Sequence, residues 1–234
     1  MVHPARPALI AHRGMPRQHR ENTLPGFLAA TAAGADGWEL DVHLTRDEVV
    51  VVHHDAVLPA LAGRLAGAAI RELDWDTLAT AVVGAAGERV PSLDAVLLAA
   101  PEDFAVYVEV KAPGLAQPVL ECLRRRPQVR AAVHCFDHRV SLQVHGLDPS
   151  VPVGVLSESY PVDIPHLLRS AAARDYWPHH TMVDAALVAA VHGAGGRVIV
   201  WTVNDTATAL RLARLGVDGL CSDVVDELRA AFGG

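Results

Sequence analysis

At 234 residues, with 51% hydrophobic and 20% charged side chains, the chain can bury a large core and is too apolar to stay disordered. Its net charge of −7 excludes nucleic acid or an anionic membrane as the main partner, because both demand a basic face. An anionic ligand would have to be met by a few local arginines and lysines, or by a metal ion.

Taken in chain order, the N-terminus offers only "ALIA" as an apolar run before charge resumes, too short for the apolar region of a signal peptide. No later run approaches the ~20 residues of a membrane span. The expectation is therefore a cytoplasmic chain with no stable membrane anchoring. A first strand is predicted over 8–12 (ALIAH), ending at His12 and Arg13, and a helix over 24–34 has Asn22-Thr23 as its cap and Pro25 in its first turn. Residues 37–55, GWELDVHLTRDEVVVVHHD, read as two strands joined by a short turn, the first over 38–43. An Ala/Gly-rich insertion then occupies 56–91, either a surface loop with a helix or a flap over a binding mouth. Beyond it come a helix capped by Ser92 (92–100), a strand at 106–111 and helices at 116–126 and 138–146 around a strand at 131–136. Further strands are predicted at 152–156, 174–177, 197–203 and 217–222, with a helix at 206–216. Eight strands alternating with helices predict a closed (β/α)8 TIM barrel, one domain over 1–234 with a small insertion after the second strand. Cys122, Cys135 and Cys221 lie far apart, which suits a reducing compartment and offers no zinc spacing.

Strand parity places the charges. Residues two apart share a face, so Glu39 and Asp41 point one way and Trp38, Leu40 and Val42 the other. In VYVEVKA the same rule sets Glu109 and Lys111 against three valines. The outer face of a barrel must be apolar to receive helices, so the charged residues point inward, late in their strands, at the mouth where this fold places its chemistry. These groups read either as buried ion pairs, Glu109 with Lys111 for instance, or as ligands. Three acids beside one Lys and one Arg repel unless a cation joins them, which favours a divalent ion held by Glu39, Asp41 and Glu109. An all-oxygen set suits Mg²⁺ or Ca²⁺ rather than zinc.

Of 13 histidines, His12 stands out by its position at a strand end. His43 shares the facing of Asp41, and of the alternating His53 and His54 only one can face the mouth. The others, His3 and His134 among them, are placed in loops or on helices as bystanders. Two mouth histidines near a divalent cation would suit acid–base work, since imidazole titrates close to neutrality.

AHRGMPRQHRENT, GWELDVHLTRDEVVVVHHD and VYVEVKA resemble the signature blocks of the glycerophosphodiester phosphodiesterases: His-Arg-Gly with a later Glu-Asn-Thr, Glu-x-Asp-Val followed by His-Asp, and Glu-x-Lys. CFDHRVSLQVHGLDPSVPVGVL, GGRVIVWTVND and LGVDGLCSD extend the resemblance over nearly the whole chain. It implies a TIM barrel that hydrolyses a small-molecule glycerophosphodiester with one divalent cation on Glu39, Asp41 and Glu109. It also implies His12 as base and His54, directly before Asp55, as acid, with Arg13 and Lys111 neutralising the phosphate. Glu21 and Asn22 are read as supports of the first loop. Trp201 is read as facing inward with Ile199 and Val203, either plugging the core or walling the glycerol. The chain departs from the pattern after His-Asp, where it reads AVLPALAGRLAG, at the closing SDVV, and at Cys135, where serine is common; the first puts the accepted alcohol in doubt. Two rival readings are a phospholipase D-like enzyme acting on lysophospholipids and a non-catalytic barrel that binds phosphate esters.

Overall fold

The computed structural model describes residues 6–233, so His3 lies outside the described residues. Eight parallel strands close on themselves: β1 (Ala8–His12), β2 (Gly37–Leu44), β4 (Ala105–Val110), β5 (Arg130–Cys135), β6 (Val153–Ser157), β7 (Asp175–Pro178), β8 (Arg197–Val200) and β9 (Gly219–Ser222). The pairing β1–β2 seals the ring. This is a TIM barrel. The ninth strand, β3 (Val50–Val52), runs antiparallel on β2 outside the ring. It is the return arm of the 37–55 hairpin, and it carries His53 and His54 back toward the mouth.

Helices follow the staves: α1 (Leu24–Ala32), α3 (Leu93–Ala99), α4 (Ala116–Arg124), α5 (His138–Leu147), α6 (Ile164–Ser170), α7 (Ala185–Gly193), α8 (Thr206–Leu215) and α9 (Val225–Ala231). The Ser92 side chain caps α3 by accepting from Ala95 N at 3.2 Å. The expected cap of α1 forms differently. Thr23 stands at the cap position but its hydroxyl donates to the Arg20 carbonyl, while Asn22 spends its amide on Asp41. A capping residue was diverted to the site.

Two apolar layers follow from strand parity. Trp38, Leu40, Val42, Val106, Val108 and Val110 face outward and pack under the helices, with Trp38 in ring contact with Phe27 and Phe104. Ile10, Tyr107, Ala132, Trp177, Ile199 and Cys221 fill the barrel itself. Gly154 makes room there, because a Cβ at this position would sit 3.0 Å from the Trp177 ring. Strand 197–203 ends earlier than expected, at Val200. Trp201 makes a single bridge to His179, and the backbone then swings so that Val203 joins the outer layer. Trp201 and Val203 therefore do not share a face, since strand alternation stops where the ladder stops.

The insertion folds on its own small core. Leu58, Ala62, Ile70, Leu78, Val83 and Val90 close over Val51 of β3, around 3-10 turns at Ala60–Leu65 and Ile70–Glu72 and the short α2 (Trp75–Leu78). An Arg46–Asp74 ion pair and a hydrogen bond from Arg20 N to Glu88 tie it to the hairpin and the first loop.

Candidate active site

The C-terminal ends of the staves converge on a cavity of about 160 Å³. Register brings the charged groups there level. His12 lies beside Glu39, and Asp41, Glu109 and His134 stand side by side on β2, β4 and β5. His12, Arg13, Glu39, His54, Glu109, Lys111 and Trp201 all line the cavity. Asp41 does not; it lies beneath, with no exposed surface.

The loop after β1 is shaped for this purpose. Arg13 adopts a left-handed backbone (φ 57°), which non-glycine residues rarely do, and Gly14 follows at φ 89°. A Cβ on Gly14 would lie 2.7 Å from the Gly26 backbone, so only glycine lets the loop close on α1. The turn sends the Arg13 guanidinium to Asp41 (3.0 Å) and Glu21 (3.3 Å). Asn22, also left-handed, donates to Asp41 Oδ2 at 2.7 Å and accepts from Asp41 N at 3.2 Å. Lys111 Nζ reaches Asp41 Oδ1 at 2.9 Å and Glu109 Oε1 at 2.5 Å.

The electrostatics split three carboxylates. Burial pushes Asp41 upward, but the charges of Arg13 and Lys111 outweigh it and hold the group at about 2. Glu109 goes the other way, raised by burial and by the charge of Asp41 to about 7. Glu39, wholly buried beside both acids, is raised well above the usual carboxylate range. Two carboxyls that resist ionisation, packed within reach of each other, are what a divalent cation relieves.

His134 was missed by the sequence reading. It is not in a loop or on a helix but on β5, facing into the barrel and stacked on Trp177 with ring centroids 4.3 Å apart. Ligand atoms of Glu39, Glu109 and His134 all lie within 4.8 Å of one another, His134 Nε2 being 3.8 Å from Glu39 Oε1. Its Nδ1 is buried without a partner among the described residues, and burial holds the ring neutral, down at about 3. The donor set, two carboxylate oxygens and one neutral imidazole, fits a divalent cation. The signal was present in AAVHCF, where parity puts Ala132 and His134 on the inner face.

His12 and His54 are held alike. His12 Nδ1 bonds Asp223 Oδ1 at 2.7 Å, and His54 Nδ1 bonds Asp55 Oδ1 at 2.9 Å. A carboxylate only accepts, so each Nδ1 carries the proton, and among the described residues neither Nε2 has a partner. Asp223 is fixed in turn by Asn204, which donates to its Oδ2 at 2.6 Å. Burial raises Asp223, but the hydrogen bond and charge of His12 prevail and hold it below the usual range. Nothing local in the sequence links Asp223 to a residue 211 positions away. The lining is also aromatic: Phe136 and Trp201 meet edge to face at 5.5 Å, and Trp177 lines the cavity with them. No residue of 56–91 lines the cavity.

Fold and mouth together mark the chain as a phosphoric diester hydrolase built on a TIM barrel. It belongs to the glycerophosphoryl diester phosphodiesterase family, whose model matches residues 12–227. It is 28% identical over 229 residues to a glycerophosphodiester phosphodiesterase of Caldanaerobacter subterraneus subsp. tengcongensis, covering 92% of this chain and 93% of that one. Among solved structures, one described as a putative glycerophosphoryl diester phosphodiesterase from Silicibacter pomeroyi superposes with a TM-score of 0.86 at 26% identity, covering 98% and 94% of the chains. An Oleispira antarctica phosphodiesterase in complex with the product sn-glycerol-3-phosphate superposes at 0.88 with 23% identity, covering 97% of each, and shares the fold.

Proposed function

We propose that the chain hydrolyses glycerophosphodiesters to glycerol 3-phosphate and an alcohol, with His12 and His54 as the proton-transfer pair. One observation carries the reading: two histidines, each with Nδ1 on an aspartate and Nε2 free, line one cavity with Arg13, Lys111, Glu39 and Glu109. His12 takes the proton of the nucleophile and His54 returns one to the leaving alcohol. Arg13 and Lys111 supply fixed positive charge to the phosphate oxygens, where a preorganised partner is worth ~10²–10³ in rate. Glu39 and Glu109 would hold Mg²⁺ or Ca²⁺, with Asp41 behind them and His134 within reach. When bound, that ion supplies a Lewis acid and neutralises charge. A cavity of about 160 Å³ would hold the phosphate and one small alcohol, with the second alcohol beside Trp201. The insertion, which contributes no residue to the cavity lining, acts as a brace for the hairpin rather than as a flap.

Glycerophosphocholine, assayed against lysophosphatidylcholine, tests the substrate class. Preference for the lysophospholipid would replace this reading with a phospholipase D-like one. His12→Ala and His54→Ala should each lose ~10²–10⁴ in kcat with an unchanged melting temperature. Chelation should stop turnover and Mg²⁺ or Ca²⁺ restore it. Near-normal activity in either variant removes the acid–base assignment, and full activity in EDTA removes the cation.

A further inference from the structure

At the opposite end of the barrel, the N-terminal ends of β4 to β8 open on a second, larger cavity of about 500 Å³. Its lining includes the apolar Ala105, Leu123, Val129, Ala131 and Val151. Arg124, Arg130, Arg174 and Arg197 line it as well. Two carboxylates oppose these four cations. Asp148 takes Arg124 at 3.0 Å, and the fully buried Asp175 takes Arg174 at 2.6 Å and Arg197 at 2.8 Å. The four arginines of the cavity thus exceed the carboxylates paired with them by two, in a chain whose net charge is −7.

Structural pairing explains part of this. A buried aspartate needs its guanidinium partners, and Arg197 also donates to the Tyr107 hydroxyl at 3.0 Å. It does not explain Arg130, whose Nε donates to the Asp103 carbonyl at 2.6 Å and which has no carboxylate in salt-bridge range among the described residues. Nor does it explain the space. A floor that only plugged the barrel would be filled by side chains at interior density.

We propose that this cavity binds a small phosphate monoester with an apolar or aromatic body. The guanidinium forks of Arg130 and its neighbours match phosphate oxygens, and the apolar side chains of the lining receive the body. The volume lies in the range of small-molecule sites. Tyr107 lines this cavity and Trp177 the upper one, and their rings meet edge to face at 5.1 Å. The two cavities are therefore separated, and the lower site is independent of the proposed catalysis.

Calorimetric titration of adenosine monophosphate into the whole chain in EDTA tests this, with inorganic phosphate as the bodiless counterpart. Sub-millimolar binding of the nucleotide should persist in Arg13→Met, which disables the mouth. It should weaken at least tenfold, ~1.4 kcal/mol, in Arg130→Glu, an exposed position where folding is not at risk. Arg130→Gln should fall between. Inorganic phosphate should bind at least tenfold more weakly than the nucleotide. The proposal is overturned by absence of binding at millimolar nucleotide, by loss in Arg13→Met with Arg130→Glu unaffected, or by equal affinity for phosphate and nucleotide.

Discussion

Asp223 holds one ring nitrogen of His12 at 2.7 Å, and Asn204 holds Asp223. Asp223→Asn keeps the shape but loses the charge that orients the protonated imidazole. Outer partners of this kind are worth ~10–100-fold. If His12 moves a proton as proposed, the variant should lose that much kcat with KM unchanged. Glu39 makes the opposite case. Its carboxylate is buried beside two others, so Glu39→Gln should stabilise the chain in chelator while abolishing any rise in melting temperature on adding Mg²⁺ or Ca²⁺. A gain of ~1 kcal/mol would read as about 2–4 °C for a chain of this length. A lower melting temperature in chelator would show that the carboxylate's contact with Arg13 N outweighs repulsion. At this scale the sequence was readable wherever parity was applied: Glu39, Asp41, Glu109 and Lys111 do converge. His134 was passed over because a histidine among apolar residues carries no charge pattern. Asp223 was out of reach because its partner comes from the other end of the chain.

Elements were legible where hydrophobic period and punctuation agreed. β1, β2, β4 and β5, together with the Ser92 cap, fall close to their expected places. The insertion was ambiguous because Ala and Gly suit both helix and loop, and its fold is decided by contact with Val51 rather than by local preference. The fit of β6 against β7 is tighter than any sequence pattern reveals. Gly154→Ala places a methyl 3.0 Å from the Trp177 ring and 3.1 Å from the Asp175 carbonyl, and overpacking of this kind costs ~1–3 kcal/mol. Chemical denaturation should show that loss. An unchanged midpoint would mean that the indole moves aside at no cost.

Across the whole molecule, the buried acids and His134 set how stability answers to pH. Glu109, raised from 4.5 to about 7, keeps its proton when folded at pH values where the unfolded chain has released it. Stability is therefore lost as pH rises through that window. Glu39 acts in the same direction. His134, lowered from 6.5 to about 3, and Asp41, lowered from 3.8 to about 2, act oppositely and cost stability as pH falls through their windows. A cation bound to the ionised acids adds most where protons no longer compete. The difference in melting temperature between Mg²⁺ or Ca²⁺ and chelator should grow from pH 5 to pH 8. A constant difference would place the ion away from Glu39 and Glu109.

The indole of Trp177 lies flat on the imidazole of His134, at 4.3 Å and 14° between planes. Such a pair is an optical probe that the chain supplies for itself, because whatever perturbs that imidazole alters the excited state next to it. Trp38 lies in the outer layer and Trp75 on the insertion, so a change in emission on filling the mouth would originate from Trp177 and Trp201, and arrival of the proposed ion or phosphate could be followed without a label.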